Sequence, residues 1–121
     1  MHYLRWEQPI TMRAWTEAGM YYDSTLSYAD KSGFRCGTCF AYSGFDPVNA
    51  NAVKIRIRPL IAMEASVLSQ KYMGKTPDQG LAVFLDLKRK CQRVAGQFTL
   101  LWHNSELQTI PMRRIYQELI K

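Results

Sequence analysis

A chain of 121 residues, 47% of them hydrophobic and 12% aromatic, is enough for one packed domain and excludes global disorder. Sixteen Lys and Arg against ten Asp and Glu give a net charge of +6, which suits an anionic partner and equally suits a solvated basic helix face. No apolar run approaches the roughly 18 residues of a membrane span. His2-Tyr3-Leu4-Arg5-Trp6-Glu7 lacks the basic and long apolar regions of a signal peptide, so a cytoplasmic chain with no membrane partner is expected.

Residues 2–6 alternate weakly and suggest a short strand. Pro9 opens a helical stretch, Ile10 to Ala18, with Met12, Trp15 and Ala18 on one face and Gly19 as terminator. Met20-Tyr21-Tyr22 reads as a short strand handing over to a loop at Asp23-Ser24-Thr25, and residues 26–35 are rich in turn formers. A further strand is expected around Thr38–Tyr42, before a loop dense in Gly, Pro, Asp and Asn. From Val53 to Ile61 the chain alternates, with Val53, Ile55 and Ile57 opposite Lys54, Arg56 and Arg58. This predicts a half-exposed strand with Pro59 near its end. Ala62 to Tyr72 reads as helical or irregular, ending at Gly74. Thr76-Pro77-Asp78 is a helix start, and a stripe of Leu81, Phe84, Leu85, Leu87, Cys91, Val94 and Ala95 carries that helix to Gly96. A strand over Gln97–Trp102 and a last helix, Pro111 to Ile120, follow. Strand, amphipathic helix and strand in succession make a βαβ unit, so the expected fold class is α/β, in a single domain over residues 1–121.

The run Gln97-Phe98-Thr99-Leu100-Leu101-Trp102-His103-Asn104-Ser105 carries the most chemical information. Apolar along its body and polar at its end, it predicts a buried strand delivering an imidazole and an amide past its C-terminal edge. Parallel α/β sheets place their sites there. His103 is then either a catalytic group or a histidine tying the strand end to a neighbouring loop. Three cysteines are an odd count, which argues against a disulfide framework. Cys36-Gly37-Thr38-Cys39 is formally a C-x-x-C, yet strand and turn residues follow it and no second pair accompanies it, so half-buried thiols are expected. The densest basic cluster, Lys88-Arg89-Lys90 with Arg93, lies within one predicted helix and comes with no nucleic-acid-binding signature. No nucleic-acid partner is expected.

Several segments, in order, resemble a known family. Trp15-Thr16-Glu17-Ala18-Gly19-Met20-Tyr21-Tyr22-Asp23-Ser24-Thr25-Leu26 is similar to the W-x-x-A-G-F-x-Y-D-S-S/T segment of polysaccharide deacetylase-like proteins, the NodB-homology superfamily of carbohydrate esterases. Gly33-Phe34-Arg35-Cys36-Gly37-Thr38-Cys39, Arg58-Pro59-Leu60-Ile61-Ala62-Met63-Glu64 and Phe98-Thr99-Leu100-Leu101-Trp102-His103-Asn104 resemble G-F-R-x-G-T-C, I-P-L-x-V-M-D and F-T-L-L-W-H-N of one branch. The resemblance implies a partial (β/α) barrel, the C-terminal half of the deacetylase type. It implies His103 as the general acid of an acyl-sugar hydrolysis, with Arg5 or Arg35 orienting a carboxylate base. Leu101, Trp102, Asn104 and Glu64 would face substrate, although a tryptophan placed like Trp102 is more often simply core. The family's early Asp-Asp strand motif and its paired-histidine motif have no counterpart here. The resemblance therefore implies no cofactor held by this chain, and a divalent metal (Zn, Co or Ni) only in a complete family member.

Two functions follow as expectations. One is the C-terminal portion of a metal-dependent carbohydrate deacetylase, inactive alone, with a carbohydrate substrate once complete. The other is a non-catalytic assembly module whose open sheet edge pairs with a second copy or with a complementing N-terminal half.

Overall fold

The computed structural model describes residues 2–121, and the fold is mixed α/β with two small sheets. After a 3₁₀ turn at His2–Leu4 come α1 (Ile10–Glu17), β1 (Tyr22–Asp23), β2 (Tyr42–Asp46), β3 (Asn51–Ile57), β4 (Ala62–Met63) and α2 (Glu64–Leu68). Then follow α3 (Pro77–Arg93), β5 (Leu100–Leu101), a 3₁₀ segment at Asn104–Gln108 and α4 (Ile110–Leu119).

The first sheet has the order β1-β3-β2, with β1 parallel and β2 antiparallel to β3. Its parallel half outlasts the strands proper. Arg58 N donates to Asp23 O at 2.8 Å, and Leu60 N to Leu26 O at 3.3 Å. Pro59 has no N–H to give to a ladder, and β3 ends two residues before it, at Ile57. The neighbour on the far side then changes: Ile61 N donates to Thr99 O at 3.0 Å, and β4 pairs in parallel with β5, Ala62 opposite Leu100 and Met63 opposite Leu101. One continuous backbone, residues 51–63, thus spans both sheets.

Two apolar clusters support the sheets. Met12 of α1 packs with Ile55 and Ile57 of β3, flanked by Trp6, Trp15, Leu26 and Val53. Gly44 of β2 lies so close that a Cβ there would come within 2.7 Å of Val53 and 2.9 Å of the Met12 sulfur. The larger cluster joins Ile61, Ala62, Val67, Phe84, Leu87, Cys91, Ile115 and Leu119, so α3 and α4 cover β4 and β5. Burial of each large side chain contributes about 1.5–3 kcal/mol. The α3 start is a capping box: Thr76 Oγ1 accepts from Gln79 N, and Gln79 Oε1 accepts from Thr76 N. At the end of β1, buried Asp23 accepts from Trp15 Nε1 at 3.1 Å and from Thr25 N and Oγ1 at 2.8 and 2.7 Å, fixing the strand-to-loop turn.

The structure corrects several local expectations. Residues 2–4 form a 3₁₀ turn rather than a strand, with Tyr3 and Leu4 at positive φ. The strand expected at Thr38–Tyr42 begins only at Tyr42 and runs to Asp46, a buried carboxylate that binds Arg13 Nε at 2.7 Å. The strand expected over Gln97–Trp102 is two residues long, and Leu101 is 36% exposed. Of the C-x-x-C pair, Cys39 is buried rather than half-buried and Cys36 is intermediate, while Cys91 is buried with the apolar stripe of α3.

Candidate functional site

β4 and β5 run parallel and in register, so their C-terminal ends meet at one rim. Glu64 follows Met63 as the first residue of α2, and His103 stands two residues beyond Leu101. That placement brings the two side chains together: His103 Nδ1 and Glu64 Oε1 are hydrogen-bonded across 39 positions of sequence. Their environments differ sharply. Glu64 is 1% exposed, whereas the His103 side chain is 47% exposed. Glu64 Oε2 is buried and has no protein hydrogen-bond partner. A carboxylate so enclosed stabilises the imidazole orientation in which Nδ1 points inward, which leaves Nε2 as the nitrogen available to a ligand.

His103, but not Glu64, borders a hollow of about 620 Å³, whose walls also include Met63, Leu101 and Tyr72 and, from the N-terminal turn, Tyr3 and Leu4. Met63 and Leu101, the partnered ends of β4 and β5, form its apolar floor. A second hollow of about 650 Å³ adjoins it and shares Leu4 and Leu101; Tyr22, Ser24, Arg58 and Leu60 line its other side.

The other sequence-derived candidates fall elsewhere. Trp102 lies in the core, its ring 5.9 Å from Phe84 and 5.6 Å from Tyr116, centroid to centroid. Arg5 is exposed, with its guanidinium 5.9 Å from the Tyr3 ring. Arg35 Nη1 donates to Ser27 O at 2.5 Å, and its guanidinium lies 6.0 Å from the Tyr28 ring. Neither arginine forms an ion pair with Glu64 or Asp23, and neither lines the hollow. Asn104 is exposed at the start of the 3₁₀ segment and does not line the hollow either. Sequence reasoning had missed Met63 and Tyr72. Met63 was findable as the last apolar residue before Glu64, whereas Tyr72 lies in an irregular stretch that gives no signal.

Among the described residues, no three His, Cys, Asp or Glu side chains converge, and the facing nitrogen and oxygen of the His103–Glu64 pair are bonded to each other. What the pair can do unaided is hold and move a proton at Nε2, beside an apolar floor. No helix of the described residues is long and apolar enough to cross a membrane. No protein-family model, curated protein or solved structure matches this chain.

Proposed function

We propose that this chain is the acid-bearing portion of a carbohydrate deacylase, an open arc of a (β/α) barrel that is catalytically incomplete alone. The observation that carries the reading is the Glu64–His103 pair at the adjoining C-terminal ends of two parallel strands, above a hollow. Parallel α/β sheets concentrate their chemistry at that rim. In this reading His103 Nε2 delivers the proton to the departing sugar nitrogen or oxygen. Glu64 is a positioning residue that fixes the ring, while Leu101 and Met63 face the small acyl group. The arrangement of free thiols Cys36, Cys39 and Cys91 accords with a cytoplasmic setting.

NMR titration with an N-acetylated chito-oligosaccharide tests it. The His103 ring and the Met63 and Leu101 methyl resonances should shift together, and the chain alone should release no acetate. Absence of shifts at all three residues would refute the reading. A second reading, an assembly module, is favoured by the sheet ends: every strand but β3 pairs with a single strand. Sedimentation equilibrium distinguishes it, because an assembly module would be dimeric at micromolar concentration.

A further inference from the structure

One sheet face remains unused by the chemistry above. Along β3 and its extension, Lys54, Arg56 and Arg58 are exposed, whereas the intervening Ile55 and Ile57 are buried. Alternate residues of a strand share a face and stand about 6.8 Å apart, so the three cations form a row about 14 Å long. Tyr22 stands opposite Arg56 in the register, so it shares that face. The ion pairs among the described residues engage Arg13, Lys90, His103 and Lys121, and none uses Lys54, Arg56 or Arg58. Asp23 and Asp46 are buried and bonded to other groups. The row therefore presents positive charge that no ion pair neutralises.

Two of the three heads are also held in place. Arg56 Nη2 donates to Ala41 O at 2.7 Å and Nη1 to Ser43 Oγ at 3.4 Å. The Arg58 guanidinium sits 4.0 Å from the Tyr22 ring centroid, a cation–π stack. Guanidinium groups fixed this way are pre-organised for planar oxyanions such as carboxylates, which they bind bidentately. The row ends inside the hollow lined by Arg58, Tyr22 and Leu101, and that hollow shares Leu4 and Leu101 with the His103 site.

We propose that the Lys54–Arg56–Arg58 row is a binding track for an acidic polysaccharide, its uronate carboxylates paired with the row and its chain leading toward His103. This deepens the deacylase reading and rests on it for the direction of the track. A single-stranded nucleic acid fits less well. It would need a succession of open aromatic faces for its bases, and beside the row Arg58 already takes one face of the Tyr22 ring.

The experiment is fluorescence anisotropy at low salt with labelled polygalacturonate, a neutral chito-oligosaccharide and a 20-nucleotide oligothymidylate. Lys54→Gln/Arg58→Gln is compared with Arg89→Gln/Arg93→Gln, an equal loss of charge on α3. The track predicts polygalacturonate binding that falls at least tenfold in the first variant, changes less than twofold in the second, and weakens with salt. Arg56→Lys keeps the charge but loses the planar fork, and should weaken binding by a smaller factor. The proposal is overturned by absence of polygalacturonate binding, by equal losses in the two double variants, or by tighter oligothymidylate binding abolished by the first variant. Circular dichroism confirms that each variant is folded. The His103 titration stays independent: shifts there without polygalacturonate binding sink the track alone, while binding without shifts leaves a polyanion surface and sinks the deacylase reading.

Discussion

Replacing His103 by alanine should destabilise the protein more than removing the whole His103–Glu64 pair. Glu64 is 1% exposed and its Oε2 has no protein partner, so the imidazole is the one side chain that binds its carboxylate. Stripping one partner from a fully buried ion pair costs about 3–5 kcal/mol. Because the His103 side chain is 47% exposed, water follows into the space it vacates. The cost then drops to about 1–3 kcal/mol, the penalty of a buried acceptor left unsatisfied. Glu64→Leu removes the demanding group and leaves a histidine that water can solvate, so it should lie within about 1 kcal/mol of the parent. The double variant Glu64→Leu/His103→Ala should accordingly be more stable than His103→Ala. Urea unfolding at pH 7, followed by far-ultraviolet circular dichroism with the m-value checked for constancy, gives the three differences. The reasoning is refuted if His103→Ala stays within about 0.5 kcal/mol of the parent, or if the double variant is the less stable. Any activity later assigned to His103 must therefore be expressed per folded molecule.

Other consequences are as direct. Thr76→Ala breaks the α3 capping box and should cost about 1 kcal/mol in the same assay. Gly96→Ala would put a Cβ 2.2 Å from the Cys39 sulfur and should cost about 1–3 kcal/mol through overpacking. Burial, together with the neighbouring Cys39 thiol, pushes the Cys91 thiol up to about 12. An unfolded thiol ionises near about 8.5, so the folded state holds its proton while the unfolded chain loses it. That contribution is whole below pH about 8.5 and is lost as pH rises toward about 12; Cys91→Ala should flatten the stability profile between about pH 8.5 and 10. Burial and the Cys36 thiol likewise push Tyr42 up to about 12, but an unfolded tyrosine ionises only near pH 10, so its effect enters above that window.

Local signals carried most of the regular structure. α3 was legible because cap, N1 proline, apolar stripe and terminal glycine all agree, and the helix spans Pro77–Arg93. The alternation along β3 was legible for the same reason, and Pro59 marked the place where the strand changes company. The stretch around Cys39 misled because Phe40 and Tyr42 have strand propensity, while the backbone at Cys39 is claimed by a distant partner, Gln97 N donating to Cys39 O at 3.0 Å. Asp46, typical of turns, is kept in β2 by Arg13 from another element. At the site, sequence placed His103 at a strand end and Glu64 in the helical or irregular stretch after the alternating strand, and their pairing depends on the register of β4 with β5, which is tertiary information. Trp102 shows the converse: the resemblance implied a ligand-facing ring and the residue type a core one, and alternation turns it toward Phe84 and Tyr116.

The placement of the indoles has a practical corollary. Trp6 and Trp15 report on the cluster around Met12, while Trp102 alone reports on the one beneath α3 and α4. Phenylalanine exchange at either location would leave emission from a single half of the molecule. Comparing the melting curves of two such derivatives would reveal whether the halves dissolve in concert or in sequence, and so whether the residue 51–63 backbone joins them mechanically.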